Sequence, residues 1–254
     1  MPDHRFAPDA FPQIVAHRGA SSTRPENTLA SFGEALRLGA KIVEFDVRLS
    51  RDGVPVVIHD PTVDRTTTGS GAVHEMTAAE IAALEIAPGE RVPTLAEVFE
   101  LLSGAAAMAI EIKNLPGEPA FETTDEAIVR ATHAELDRSG FEGPVLLISF
   151  NPQSIAASKA IAPEVPTGFL TTELVPPPEA LAHAVQAGHD MILPGTRALI
   201  PAGSAFVDQA HAAGRLVGTW TADDPDEVRR LLEDGVDAIA SNDPATALGV
   251  LRDR

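Results

Sequence analysis

Charged residues at alternate positions within residues 41–60 could bind a metal ion. Glu44, Asp46 and Arg48 are separated from one another by single apolar residues. Because a β-strand sends alternate side chains to opposite faces, these three charges share one face. In a closed parallel barrel that face points inward, where two carboxylates one pleat apart would share a proton or hold a cation. The spacing therefore predicts a cation site if the strand belongs to a barrel.

Further polar residues stand where other apolar runs end. His17 and Arg18 follow the first run, and His59 follows a short run later in the same region. Glu111 and Lys113 end another run, and three carboxylates form an all-oxygen set that suits Mg²⁺ or Ca²⁺ rather than zinc or copper. Two histidines can supply a general acid and a general base, while the cationic side chains can bind an anion. The combination favours cleavage of a phosphate ester.

Taken alone, each of these residues has a purely structural explanation. A histidine at a strand end is more often a hydrogen-bonded core residue than a catalyst. The carboxylates could pair with Arg18 or Arg48, and Glu111 could form an ion pair with Lys113 at the rim of a barrel. Trp220, which also ends an apolar run, would most simply be a core residue. Only the full set favours a catalytic site.

The elements that must position these residues alternate regularly along the chain. Short apolar runs typical of strands are followed by amphipathic segments typical of helices, and several of those segments end in glycine. Counting the run 54–58 as a continuation of the second strand gives eight βα units. We therefore predict an α/β protein with a single domain over residues 1–254, a (β/α)₈ TIM barrel with a small insertion at 61–93 after the second strand. A doubly wound open sheet is the main alternative.

Composition narrows the classes of partner. The 254 residues include 19 basic and 37 acidic side chains, a formal net charge of −18, which argues against nucleic acids and anionic membrane surfaces. There is no cysteine, so thiol catalysis and disulfides are excluded. No signal-peptide pattern is visible, and no apolar run approaches the roughly 20 residues of a membrane span. We expect a cytoplasmic protein without stable membrane association, and the sequence gives no oligomeric state.

The chain resembles the glycerophosphodiester phosphodiesterase family over nearly its whole length, from about residue 14 to residue 248. Any one of the shared motifs is weak alone, but together and in this order they are specific. The motifs are His17-Arg18-Gly19, Pro25-Glu26-Asn27-Thr28, Glu44-Phe45-Asp46-Val47, His59-Asp60-Pro61, Asp64-Arg65-Thr66-Thr67, Val92-Pro93-Thr94-Leu95, Glu111-Ile112-Lys113, Ser149-Phe150-Asn151-Pro152, Trp220-Thr221 and Gly235-Val236-Asp237-Ala238-Ile239.

This resemblance implies a TIM barrel that hydrolyses glycerophosphodiesters to glycerol 3-phosphate and an alcohol with the help of a divalent cation. It also implies a role for each matching residue, with Asn27 either supporting the site or contacting a glycerol hydroxyl. The implied residues are Glu44, Asp46 and Glu111 for the metal, His17 and His59 for acid–base catalysis, and Arg18, Lys113, Asn27 and Trp220 for the substrate.

Two departures from the family pattern stand late in the chain. Asp223 occupies a position where the family usually has Asn, and Ser241-Asn242-Asp243-Pro244 stands where it usually has Thr-Asp-x-Pro. We expect neither departure to touch the metal ligands or the histidines. They bear on the specificity for the alcohol.

Two other functions and two reaction routes stay open at this point. A lysophospholipase D-like phosphodiesterase could use the same barrel, and a non-catalytic barrel could merely bind a phospho-ligand. The complete polar set argues against the second, because buried polar groups are costly to keep without a use. For the reaction, two histidines favour attack on phosphorus by the neighbouring glycerol hydroxyl, giving a cyclic phosphate that water opens. Direct attack by water is the alternative.

Overall fold

Eight apolar runs of the sequence form a closed barrel of parallel strands in the computed structural model, which describes residues 11–254. In chain order the strands are β1 (Gln13–His17), β2 (Ile42–Leu49), β3 (Pro55–Val57), β4 (Glu85–Ala87), β5 (Glu90–Arg91), β6 (Ala107–Ile112), β7 (Val145–Ser149), β8 (Thr167–Thr171), β9 (Met191–Pro194), β10 (Leu216–Thr219) and β11 (Ala238–Ser241).

The sheet runs β1-β2-β6-β7-β8-β9-β10-β11 and closes because β11 pairs in parallel with β1. This confirms the predicted (β/α)₈ TIM barrel and makes the open-sheet alternative wrong. The run 54–58 does not continue the second strand: β3 returns antiparallel along β2, with Val57 opposite Val47, and stays outside the barrel. A turn at Gly53, whose φ is +77°, reverses the chain there. The count of eight barrel strands is unaffected.

Helices follow the barrel strands, and their ends match local signals in the sequence. Thr28 caps the first helix by accepting from Ser31 N–H, and Gly39 ends it in the left-handed conformation. The seventh helix is interrupted at Gly203, whose φ of +62° and ψ of −166° are not helical. The helices are α1 (Leu29–Leu38), α2 (Ala78–Ala82), α3 (Leu95–Leu102), α4 (Ala127–Ser139), α5 (Pro152–Ile161), α6 (Pro177–Ala187), α7 (Thr196–Ala212), α8 (Pro225–Glu233) and α9 (Pro244–Arg252).

The strands bury both of their faces. In β2 the outward residues Val43, Phe45 and Val47 are fully buried in the core between sheet and helices. Inward positions of the barrel strands build a second, smaller core inside the barrel. Its buried members are Val15, Ile42, Ala109, Leu146, Ile148, Leu170, Met191, Leu193 and Ala238. The charged residues of β2 therefore point to the inside of the barrel, above this apolar layer.

The insertion at 61–93 lies where it was predicted, after β2 and its antiparallel partner. It contains α2, with a capping box between Thr77 and Glu80, and the antiparallel hairpin β4–β5. Val63, Val73 and Ile81 are buried in a small hydrophobic core that the insertion forms with neighbouring residues. None of the helices in residues 11–254 combines the length and the apolar character required to cross a membrane.

Candidate active site

The register of three neighbouring strands brings the predicted residues to one end of the barrel. His17 at the end of β1 lies opposite Glu44 in β2, and Asp46 in β2 lies opposite Glu111 in β6. Parallel strands present their carboxyl ends on the same side, which is where the sites of such barrels lie. The pleat of β2 then directs both of its carboxylates inward.

Three buried carboxylates form the centre of the site. Glu44, Asp46 and Glu111 each offer an oxygen, and these oxygens lie within 4.8 Å of one another. Their residues are only 3%, 0% and 6% exposed, and Glu44 Oε1 accepts no hydrogen bond from any described residue. When Glu44 is ionised, this buried oxygen without a donor is costly unless a cation lies next to it. The oxygen-only set fits Mg²⁺ or Ca²⁺.

The ionisation of these carboxylates reflects their crowding. Burial and the charge of Asp46 raise the pKa of Glu44 to about 8. Burial, together with the same neighbour, also raises the pKa of Glu111 to about 7, although Lys113 opposes the shift. Against the effect of burial, Lys113 and Arg18 hold the pKa of Asp46 well below its usual range. The cluster thus holds protons near neutral pH unless more positive charge enters it.

Two cationic side chains border the carboxylates. Lys113 Nζ forms an ion pair with Glu111 and lies 3.0 Å from Asp46 Oδ1. Arg18 Nε lies 3.1 Å from Asp46 Oδ2, and the Arg18 backbone N–H donates to Glu44 Oε2 at 3.0 Å. Arg18 has a φ of +55°, a strained conformation for a bulky residue, which turns its N–H toward that carboxylate. Lys113 thus forms the ion pair that was one of its possible explanations. This ion pair is compatible with a second role in binding phosphate.

Asn27 contacts a carboxylate of the cluster. Its Nδ2 donates to Asp46 Oδ2 at 2.8 Å, and Asp46 N–H donates to Asn27 Oδ1 at 3.3 Å. Of the two roles open from the sequence, this geometry corresponds to supporting the site.

The first histidine is held between a carboxylate and an amide. His17 Nε2 lies 3.8 Å from Glu44 Oε2, and His17 Nδ1 lies 2.7 Å from Asn242 Oδ1. Burial and the positive charge of Arg18 lower the pKa of His17. The ring is therefore neutral over a wider pH range than a free histidine, as a proton acceptor requires.

Asn242 is a residue of the site that sequence reasoning missed. We expected that neither departure from the family pattern would touch a histidine, and for Asn242 this was wrong. β11 closes on β1 with Ser241 opposite Ala16, so the residues that follow, Asn242 and His17, become neighbours. The signal was available, because in a closed barrel the last strand must lie beside the first. Asp223 in turn accepts a hydrogen bond from Asn242 Nδ2 at 2.7 Å.

The second histidine is connected to the insertion. His59 Nδ1 lies 2.6 Å from Asp60 Oδ1, and Arg65 of the insertion donates to both oxygens of Asp60. Arg65 also donates to both oxygens of Glu26, which accepts from Arg18 Nη1 at 2.9 Å. Hydrogen bonds from Arg65 lower the pKa of Asp60 to about 2. A chain of alternating charges thus joins the surroundings of the two histidines.

A cavity of about 220 Å³ extends from these polar groups into the barrel. Trp220 lies in its wall, donating from Nε1 to Leu193 O at 3.0 Å and packing edge-on against Phe150 with ring centroids 5.1 Å apart. Trp220 is only partly buried, so it is both a packing residue and a wall of the cavity. The remaining wall is mainly apolar and includes Leu146, Ile148, Leu170 and Met191.

Several known proteins are similar to this chain in sequence and in fold. A glycerophosphodiester phosphodiesterase of Caldanaerobacter subterraneus subsp. tengcongensis is 36% identical over 247 residues, which are 94% of this chain and 97% of that protein. One from Bacillus subtilis is 30% identical over 252 residues, 91% of this chain and 83% of that protein. The structure of an Oleispira antarctica phosphodiesterase in complex with the product sn-glycerol-3-phosphate superposes with a TM-score of 0.86 and 30% identity, covering 96% and 98% of the two chains.

The match extends to a second solved structure and to a family model. A glycerophosphodiester phosphodiesterase from Agrobacterium tumefaciens superposes with a TM-score of 0.76 at 29% identity, covering 93% of this chain and 99% of that one. The model of the glycerophosphoryl diester phosphodiesterase family matches residues 17–246, which include every candidate site residue. The chain belongs to the glycerophosphoryl diester phosphodiesterase family.

Proposed function

We propose that the protein hydrolyses glycerophosphodiesters to glycerol 3-phosphate and an alcohol, using a divalent cation and two histidines. The observation that carries the proposal is the buried cluster of Glu44, Asp46 and Glu111 beside His17. The names of the relatives support the substrate class, and the Oleispira phosphodiesterase was solved with sn-glycerol-3-phosphate.

The three carboxylates would hold Mg²⁺ or Ca²⁺. When bound, such a cation supplies positive charge that stabilises a phosphate in the transition state. The same carboxylates alone would repel a phosphate, and the net charge of −18 adds to that repulsion. Arg18 and Lys113 would contribute the remaining positive charge to the phosphate oxygens.

The two histidines would move protons in opposite directions. We assign the base to His17, whose side chain is 15% exposed and lies next to Glu44, and the acid to His59, which is 33% exposed and nearer to solvent. His17 takes the proton of the glycerol hydroxyl while the oxygen of that hydroxyl forms a bond to phosphorus. His59 gives a proton to the alcohol oxygen as the bond from phosphorus to that oxygen breaks. The roles reverse when water opens the cyclic phosphate.

The apolar wall of the cavity supports a second candidate, hydrolysis of lysophospholipids at the same bond. Leu170, Met191 and Phe150 offer an acyl chain a surface free of charge. A small diester such as glycerophosphocholine does not require such a wall.

A substrate panel tests the proposal. Glycerophosphocholine, glycerophosphoethanolamine and lysophosphatidylcholine are incubated with the protein in EDTA and again after Mg²⁺ or Ca²⁺ is restored, and the released phosphomonoester is quantified. We expect turnover of the glycerophosphodiesters only with cation. The variant Glu44→Gln, which removes one charge from the cluster, serves as the inactive control. Failure to cleave any diester in either cation would overturn the proposed function, and full activity in EDTA without tightly held metal would overturn its metal dependence.

A further inference from the structure

The side chain of Asn242 lies between His17 and Asp223 and contacts both. Asn242 Oδ1 is 2.7 Å from His17 Nδ1, and Asn242 Nδ2 donates to Asp223 Oδ2 at 2.7 Å. Asn242 follows β11 and Asp223 precedes α8, so the three residues come from three different parts of the barrel rim. On the far side of the His17 ring from Asn242, Nε2 lies 3.8 Å from the carboxylate of Glu44.

Asp223 fixes which way the amide of Asn242 faces. An ionised carboxylate can only accept hydrogen bonds, so the group that faces Asp223 Oδ2 must be the amide NH₂. Asp223 Oδ1 also accepts from the Asn242 backbone N–H at 2.7 Å and from Ser241 Oγ at 2.9 Å, which hold the carboxylate in place. Although partial burial opposes it, these hydrogen bonds lower the pKa of Asp223 and keep it ionised. The amide oxygen is therefore left to face His17.

An oxygen facing Nδ1 determines where neutral His17 carries its proton. Asn242 Oδ1 cannot donate, so the hydrogen must lie on Nδ1, and the lone pair of the ring is then on Nε2. We propose that Asn242 and Asp223 are a positioning pair that holds neutral His17 in the Nδ1–H tautomer and so presents Nε2 as the base. This inference rests on the proposed function only for the use of the base, since the tautomer itself is a property of the hydrogen bonds.

Replacing Asp223 by Asn should invert the tautomer. The backbone N–H of Asn242 can only donate a hydrogen bond. The amide oxygen of the new Asn side chain at position 223 would therefore take the place that Asp223 Oδ1 has in the native chain. The new NH₂ at position 223 would then face the NH₂ of Asn242. To avoid two opposed donors, the side-chain amide of Asn242 must rotate by half a turn, which points its NH₂ at His17 Nδ1. His17 Nδ1 must then accept a hydrogen bond, and the ring proton would move to Nε2. The variant Asp223→Asn therefore removes the lone pair that the reaction uses.

Exchanging both side chains should restore the original arrangement. In the double variant Asp223→Asn, Asn242→Asp, the new amide NH₂ at 223 donates to the new carboxylate at 242. That carboxylate accepts from His17 Nδ1–H, so the tautomer returns to the one in the native chain. The single variant Asn242→Asp instead sets two carboxylates against each other, and we expect it to be less stable than the double variant.

Nitrogen-15 NMR of the histidine rings tests the tautomer directly, without any assay of activity. The chain has eight histidines, so the signals of His17 are identified by their loss in His17→Gln. At a pH where His17 is neutral and with Mg²⁺ present, we expect the native chain and the double variant to carry the proton on Nδ1 and Asp223→Asn to carry it on Nε2. A native chain with its proton on Nε2 would overturn the inference.

Kinetics on glycerophosphocholine tests the consequence. We expect Asp223→Asn to lower kcat by about 10²-fold, the typical contribution of general base catalysis, with little change in KM, and the double variant to recover most of the loss. Asp226→Asn, which makes the same change of charge on α8, should behave like the native chain. If the native chain is active and Asp223→Asn keeps its kcat, the positioning role is wrong. If the native chain cleaves no diester, the proposed function fails while the NMR result still decides the tautomer.

Discussion

Asn27 and Asp46 are joined by two hydrogen bonds across the site. The Asn27 amide donates to Asp46 Oδ2 at 2.8 Å, and the Asp46 backbone N–H returns a hydrogen bond to Asn27 Oδ1 at 3.3 Å. Asn27 has a φ of +58°, a conformation that asparagine tolerates better than most residues. One side chain thus fixes both the strand backbone and the carboxylate at the centre of the cluster, and it leaves Asp46 Oδ1 directed to the other groups of the site.

Removing the amide of Asn27 should weaken cation binding. We expect Asn27→Ala to reduce the affinity for Mg²⁺ or Ca²⁺ by about 10- to 100-fold, because groups that orient metal ligands contribute on that scale. The affinity is measured by calorimetric titration and by the rise of Tm with added cation. Asn27→Gly accepts the positive φ and also lacks the amide, so it separates the amide from backbone strain. Native affinity in Asn27→Gly would show that the amide does not orient Asp46.

Cation binding should strengthen as pH rises through about 7 to 8. In the absence of cation, the pKa of Glu111 is raised to about 7 and that of Glu44 to about 8, so both are partly protonated at neutral pH. A cation requires the charged form, so below this range binding must displace protons, and above it no proton remains to be displaced. Titrations between pH 6 and 9 in buffers of different ionisation enthalpy report both the affinity and the protons released. A pH-independent affinity with no proton release would contradict the raised pKa values.

The lysine beside the cluster should act mainly in the transition state. We expect Lys113→Ala to lower kcat/KM by the equivalent of about 2–4 kcal/mol, the usual loss for a charged donor to a developing anion. The chain has three lysines, and Lys41, which is exposed just before β2, provides the matched control Lys41→Ala. An unchanged kcat/KM in Lys113→Ala would show that the ion pair with Glu111 is only structural.

The common orientation of the carboxylates of β2 could be predicted from the sequence because it depends on the local periodicity of a strand. The two-residue spacing of Glu44 and Asp46 fixes their common face, and the barrel predicted from the βα alternation turns that face inward. Glu44 and Asp46, two of the three candidate metal ligands, could therefore be grouped from the sequence alone. His17 and His59 could be placed at the rim for the same reason, as residues that end apolar runs.

The remaining features depend on contacts that local patterns do not encode. Asn242 and His17 are 225 positions apart and meet only through barrel closure. The direction of β3 could not be read from periodicity, because a returning strand and a continuing one have the same alternation. In α7, Pro201 and the non-helical Gly203 interrupt the helical pattern, so the sequence alone does not join the two parts of this helix.

The insertion should affect catalysis through Arg65. Arg65→Ala removes the hydrogen bonds to Asp60, the partner of His59, and we expect kcat to fall by about 10- to 100-fold because His59 loses its fixed orientation. Stability should change little, because the side chain of Arg65 is 48% exposed. Arg51 is a comparably exposed arginine that pairs with Glu80, another residue of the insertion, so Arg51→Ala serves as the control. Equal kinetics in Arg65→Ala and Arg51→Ala would contradict a link between the insertion and His59.

The glycerol hydroxyl next to the phosphorylated oxygen distinguishes the two reaction routes. In the cyclic route this hydroxyl is the nucleophile, held near phosphorus while His17 takes its proton and His59 protonates the departing alcohol. A substrate with hydrogen in place of that hydroxyl cannot form the cyclic phosphate. We therefore expect the deoxy analogue of glycerophosphocholine to bind but not to turn over, as seen by inhibition of the parent reaction and by phosphorus-31 NMR of the products. Comparable turnover of the deoxy analogue would exclude the hydroxyl as nucleophile and favour direct attack by water, for which the same two histidines would still supply the base and the acid.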